Sequence, residues 1–162
     1  MNKFIWATIL APLLIAIIYG AISLTSIPTN NYTILIASAG VTATLYLGLV
    51  KYWIDSDGMF KSLFIEFNLR FDKLNEELNN VAEGKPLTGE KTSEQIIQDY
   101  LNLCAEEYYW FKKGRIPKAV WISWSAGIND YIVLPPIRTF FKNQLPYKDS
   151  YYGFLNFVED KL

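Results

Sequence analysis

Residues 104–114, CAEEYYWFKKG, gather the side chains that acid–base or nucleophilic chemistry would draw on. They hold the lone cysteine, Cys104, two adjacent glutamates, Glu106 and Glu107, and two tyrosines, Tyr108 and Tyr109. Two carboxylates work as acid and base only when they face a common substrate from environments that separate their pKa values. Helix neighbours lie about 100° apart around the axis, so Glu106 and Glu107 cannot form such a dyad. Histidine is absent from the chain. That removes Ser–His and Cys–His nucleophile pairs, histidine bases and histidine metal ligands together. One cysteine makes neither an internal disulfide nor a thiolate zinc site, so Cys104 reads as a small apolar packing residue. There is no calcium-loop spacing of Asp and Glu and no glycine-rich phosphate loop. The expectation is a protein with no cofactor, no metal and no catalytic residues.

The helix that carries these residues is predicted from Ser93 to Lys113, capped by Thr92 or Ser93. At 100° per residue, Ile97, Tyr100, Leu101, Cys104, Tyr108 and Phe111 form one stripe, widened by Ile96 and Leu103. Glu106 falls on the far side with Asp99, Asn102 and Lys113, where water reaches it. Glu107 falls between Tyr100 and Leu103, on the apolar side. A carboxylate there must be paired, hydrogen-bonded or protonated. Arg70, Arg115 or a tyrosine is the expected partner in an internal polar network. A site residue with a raised pKa is the alternative.

Other elements must present a surface to that stripe. Residues 59–82 read as one helix, with Phe60, Phe64, Phe67, Phe71, Leu74, Leu78 and Val81 at alternating steps of four and three. This is a heptad seam, flanked by Asn68 and Asn75 on one side and Arg70 on the other. Packing within the chain is the expected use of the seam. The polar stretch 83–94 is a loop opened by Gly84 and Pro86. Gly114 ends the central helix and Pro117 starts the next, whose inner side is Val120, Trp121, Trp124, Ile128 and Tyr131. Pro135 and Pro136 end it, residues 137–144 form a short helix or turn, and residues 150–162 close the chain as an amphipathic helix. No run alternates with period two, so no sheet is expected.

The amino-terminal third is different in kind. Hydrophobic residues make up 51% of the chain and charged residues only 19%, below the quarter usual for soluble domains. The excess is concentrated: between Phe4 and Ile54 the one charge is Lys51, and every acid lies at Asp55 or later. Residues 4–27 and 33–54 are each long and apolar enough to cross a bilayer, with a short turn between them. Lys3, Lys51 and Lys61 flank the opposite side from that turn, which carries no base. The positive-inside rule then puts both termini in the cytoplasm. Pairs such as Ala16 with Gly20, Ala39 with Ala43, and Gly40, Thr44 and Gly48 give small-residue faces for helix contact, between the two spans or between copies. No ionisable group sits mid-span, which argues against an ion pathway. From Asp55 onward thirteen bases face sixteen acids, a net charge of −3, which disfavours nucleic-acid binding. The predicted fold is all-α: a transmembrane helical hairpin over residues 1–54, followed by a small cytoplasmic helical bundle over residues 55–162.

The blocks FNLRFDKLNEELN, DYLNLCAEEYYWFKKGRIP, VWISWSAGI and SYYGF resemble an uncharacterised bacterial family of small membrane-anchored helical proteins. The resemblance covers most of the chain after Phe60, and the middle block is its most specific part. It implies the same architecture, and it implies no mechanism. It also implies that the residue types at Asn68, Arg70, Asp72, Asn75, Glu106, Glu107 and Trp121 belong to a shared pattern. With the partners and anchors read from the residues themselves, the candidate interaction surface or buried polar network is Asn68, Arg70, Asp72, Asn75, Glu107, Tyr108, Arg115, Trp121 and Trp124. The expected function is a membrane-anchored interaction module of the bacterial inner membrane. It would bind a protein partner or assemble with itself beside the lipid bilayer, without nucleic acid. A membrane-disrupting effector of a defence or toxin system and a membrane-adjacent enzyme using Glu107 are the alternatives.

Overall fold

The computed structural model describes residues 31–162, together with residues 15–17, 19, 20 and 23. Helices joined by short turns and loops account for them, and no strand occurs among the described residues. The all-α expectation therefore holds. The chain divides into two compact units, Met1–Gly58 and Met59–Leu162. One helix, α1 (Asn31–Glu83), supplies residues to both.

The predicted span 33–54 and the predicted helix 59–82 are not separate elements, because α1 continues through residues 55–58. Lys51 pairs with Asp55 one turn on, at 3.1 Å, which favours the helical register. Gly58 costs a helix only about 1 kcal/mol, too little to interrupt 53 residues.

In the first unit, α1 is apolar and open. Ile36, Val41, Leu45, Leu47, Leu49, Tyr52 and Ile54 are exposed, Ile36 to 74% and Ile54 to 64%. Hydroxyl groups bond within the helix: Thr42 Oγ1 donates to Ser38 O at 2.8 Å, and Thr44 Oγ1 to Gly40 O at 2.9 Å. Ser38 and Thr42 are the buried positions, whereas the small-residue faces Ala39–Ala43 and Gly40–Thr44–Gly48 are exposed. Nothing lies within 4 Å of a Cβ built on Gly40 or Gly48. Those faces are thus not consumed by packing among the described residues. The predicted first span, residues 4–27, and the turn after it lie outside the described residues except at 15–17, 19, 20 and 23. Among the described residues, no helix is long and apolar enough to cross a membrane. Of the second predicted span, only residues 36–54 have a continuous description of their side chains.

The second unit is a bundle built around α2 (Ser93–Lys112). Thr92 and Gln95 form a reciprocal capping box at its start: the Gln95 N–H donates to Thr92 Oγ1, and the Thr92 N–H to Gln95 Oε1. Its end is a Schellman turn. The Arg115 N–H reaches Trp110 O at 3.0 Å, and Gly114 sits at φ +68°, where a side chain would be strained. Helix α3 (Lys118–Ile132) follows Pro117, and α4 (Pro135–Gln144) follows the turn at Val133 and Leu134. Both pack on α2. The buried stripe of α2 is Ile96, Ile97, Tyr100, Leu101, Leu103, Cys104, Ala105 and Glu107.

The predicted heptad seam is used unevenly. Phe67, Leu78 and Val81 are buried, Phe71 and Leu74 are packed on the core, and Phe64 remains 40% exposed. The loop after α1 is pinned by Glu77, whose carboxylate accepts the Thr88 and Gly89 N–H groups at 3.0 and 2.8 Å and the Thr88 hydroxyl. That hydroxyl, first of all, holds the Glu77 carboxyl below the usual range. The carboxy-terminal helix is not continuous. A 3-10 turn (Leu145–Tyr151) leads to Tyr152 and Gly153, at φ +53° and +82°. Two successive left-handed residues end any right-handed helix. Only a short helix, α5 (Phe154–Val158), follows before a last 3-10 turn. Even so, α5 buries Phe154, Leu155 and Val158 against α2.

Candidate functional site

The polar candidates meet where α1 crosses α2, and they do so differently from the expected pairing. Arg70 forms a two-pronged ion pair with Glu106, Nη1 to Oε2 at 2.6 Å and Nη2 to Oε1 at 3.0 Å. The hydrogen bond to Glu106 is the main reason the guanidinium is held still more firmly charged. A weaker contact runs from Nη1 to Glu66 at 3.8 Å, and the guanidinium carbon lies 5.8 Å from the Phe67 ring centroid. Glu106 therefore does not simply face water, and Glu107 does not take Arg70. The wheel fixes the angle of a side chain but not what the next helix brings to it. Arg70 lies at the rim of the bundle, half-buried like Glu106, and planar fork-to-fork pairing fits that rim.

Glu107 lies farther round, 8% exposed. Burial pushes its carboxyl up to about 8, with Arg70 pulling it down and Glu106 pushing it up. The carboxyl makes no hydrogen bond or ion pair with another described side chain. No polar side-chain atom among the described residues is sealed from solvent without a partner. The Glu107 carboxyl is therefore not sealed from solvent, and Glu107 lines a cavity of about 200 Å³. Phe67, Phe71, Tyr100, Leu103, Trp124, Ile128 and Tyr131 wall it, and Ser123 and Gly127 lie exposed at its mouth. Cys104 and Tyr100, one and two turns back along the same face, feel the same burial, which pushes both the thiol and the phenol up.

The other candidates sort into three groups. Asn68 and Trp124 line the cavity with Glu107. Asn68 Nδ2 donates to Phe64 O at 2.6 Å, which leaves its carbonyl oxygen as an acceptor. Asn75 supports the cavity from behind: the Tyr131 hydroxyl lies 2.9 Å from Asn75 Oδ1 and 2.8 Å from Asn79 Oδ1, and its single proton serves one at a time. Trp121 and Tyr108 belong instead to an aromatic cluster with Phe111 and Phe157. The Trp121 ring stacks on Phe111 at 4.9 Å and meets Tyr108 at 5.6 Å. Asp72 is exposed and joins no network among the described residues, and Arg115 contributes its backbone N–H to the α2 terminus rather than a partner for Glu107.

Sequence reasoning placed Tyr100, Tyr131 and Ile128 on inner faces but did not bring them into one cavity. Ser123 and Gly127 gave no signal at all. Their role depends on how α3 lies on α1, which no periodicity encodes. A second, larger recess of about 440 Å³ lies on the other side of Arg70, with Lys73, Lys91, Asp99 and Glu106. Its charges are largely spent, since Lys91 pairs with Asp99 at 2.6 Å and Arg70 with Glu106. No group of three His, Cys, Asp or Glu able to hold a metal occurs among the described residues. No family model, curated protein or solved structure matches the chain.

Proposed function

We propose that the protein is a membrane-anchored helical module at the cytoplasmic face of a bacterial inner membrane, where its bundle binds a protein partner or further copies of itself. The observation that carries this reading is the exposed run of α1 from Ile36 to Ile54. Large apolar side chains there point in every direction around the axis: Ile36, Leu47 and Ile54 on one side, Val41, Leu45 and Tyr52 on the other. Monomeric soluble proteins do not leave such a surface to water. Hydroxyls that bond back to their own helix suit an apolar surrounding. The open small-residue faces at Ala39–Ala43 and Gly40–Thr44–Gly48 suit close contact with another helix.

The test has two stages. Membranes from cells making the tagged full chain are washed at alkaline pH, which strips peripheral proteins. The chain is then extracted in mild detergent and its particle mass and co-purifying proteins are measured. Retention on the washed membranes with a defined partner or a homo-oligomer is the expected result. Release by the wash would overturn the anchor, and a lone monomer with nothing bound would overturn the interaction role.

A further inference from the structure

The cavity beside Glu107 combines features that packing alone does not require. Its one carboxylate, Glu107, is nine-tenths buried, makes no hydrogen bond or ion pair among the described residues, and lines the cavity. The other polar groups presented there also include acceptors: the Asn68 carbonyl oxygen, left free by the bond its amide makes, and the Ser123 hydroxyl. The remaining wall is rich in rings from Phe67, Phe71, Trp124 and Tyr131. No Lys or Arg lines it. The nearest cation, Arg70, is already engaged by Glu106 through two hydrogen bonds and by Glu66. One Arg among three carboxylates leaves the neighbourhood short of positive charge. A carboxylate with aromatic walls and no cation of its own complements an ammonium group, since ring faces attract cations and most strongly where water is excluded. At about 200 Å³ the cavity lies below the 300–1,000 Å³ typical of drug-sized ligands, so its occupant is small.

We propose that this cavity binds a small organic ammonium group, with the Glu107 carboxylate as counter-ion, Trp124, Tyr131 and Phe71 as walls, and Ser123 and Gly127 at the entrance. The site is independent of whether the chain is anchored, because all of its residues lie within the bundle. The bound cation stabilises the ionised carboxylate, so binding releases the proton that burial otherwise keeps on Glu107. The titratable and charged groups around it are Glu106, Tyr100 and Cys104 on its own helix, Arg70 on α1 and Tyr131 on α3. The tyrosines and the cysteine are pushed upward and stay neutral at neutral pH.

The experiment titrates the full chain in choline-free micelles with tetramethylammonium chloride against matched potassium chloride. Tryptophan fluorescence and calorimetry are read together. The expected result is saturable binding at one ion per chain, with affinity rising about tenfold per pH unit between pH 6 and about 8 as the displaced proton becomes easier to lose. Glu107→Gln should weaken binding more than tenfold. Because that variant also touches the core, Gly127→Leu provides a second arm. A Cβ at Gly127 meets nothing within 4 Å, so the substitution begins in open space; the longer side chain is expected to narrow the entrance and again reduce affinity more than tenfold, with the melt of the variant checking that it folds. Repeating the titration in phosphocholine micelles tells a lipid headgroup from a free ion: competition identifies the headgroup, and unchanged binding the free ion. A response no larger than that to potassium chloride, or full affinity in both folded variants, would overturn the assignment.

Discussion

Glu107→Gln separates the ionisation of one buried carboxyl from everything else that titrates. In the folded chain this group holds its proton up to about pH 8, whereas an unfolded glutamate releases it near 4.5. Between those values the folded state binds more protons than the unfolded state, so stability falls as pH rises through the window. At about 1.4 kcal/mol per pH unit, the loss reaches about 3 kcal/mol by pH 7 and about 5 kcal/mol above pH 8.5. Glutamine has nearly the shape of the protonated acid and cannot ionise. The variant should match the native chain at pH 4.5 and exceed it by those amounts as pH rises. In a bundle of this size 3 kcal/mol corresponds to a difference of roughly 12–24 °C in Tm. Denaturant melts of both full-length proteins in detergent, followed by tryptophan fluorescence every half pH unit, read the difference directly. Two parallel stability curves would refute the reasoning, because the proton would then be held no differently in the folded and unfolded states.

Two further pairs of substitutions check the packing. Trp121 is 4% exposed within a cluster of rings, so Trp121→Ala should cost about 3–5 kcal/mol, while the half-buried Trp124 should cost about half as much. Equal losses in the same denaturant melts would contradict the depth assigned to the two rings. Gly114→Ala should destabilise by about 1–2 kcal/mol, because its left-handed backbone excludes a side chain. Gly127→Ala should stabilise by about 0.5–1 kcal/mol, because it sits inside α3 with open space around it. Shifts of the same sign would show that one of these backbones is misplaced.

Periodicity located what depends on single helices. The apolar stripe of α2, its Thr92 cap and Gly114 terminus, and the inner residues of α3 follow from spacing and from cap chemistry. Glu107 was identifiable for the same reason: position 107 falls inside a stripe that is otherwise apolar. What spacing could not supply was the content of the space opposite. Arg70 was a sound partner for Glu107 by charge, but the crossing of α1 over α2 offers it the rim carboxylate of Glu106 first. Local signals also misled where a longer element outweighed them. Asp55, Asp57 and Gly58 look like punctuation, yet each is individually a weak breaker, and the helix on both sides outweighs them. The reverse happened at residues 150–162. There an amphipathic pattern was real, but Tyr152 and Gly153 turn the backbone left-handed within it.

The burial of the chain's single cysteine has a practical side. Cys104 is 1% exposed in the middle of α2, and burial raises its thiol, so it holds little of the reactive thiolate. A thiol reagent can modify it only after α2 has come away from its neighbours. With no second sulfhydryl to confuse the signal, the rate of labelling counts those openings one at a time. Cys104 stands three residues before Glu107 on the same helix face. The unmodified protein thus carries a clock beside its most unusual carboxyl, and the dependence of that clock on pH or on added ions can be followed without introducing a probe.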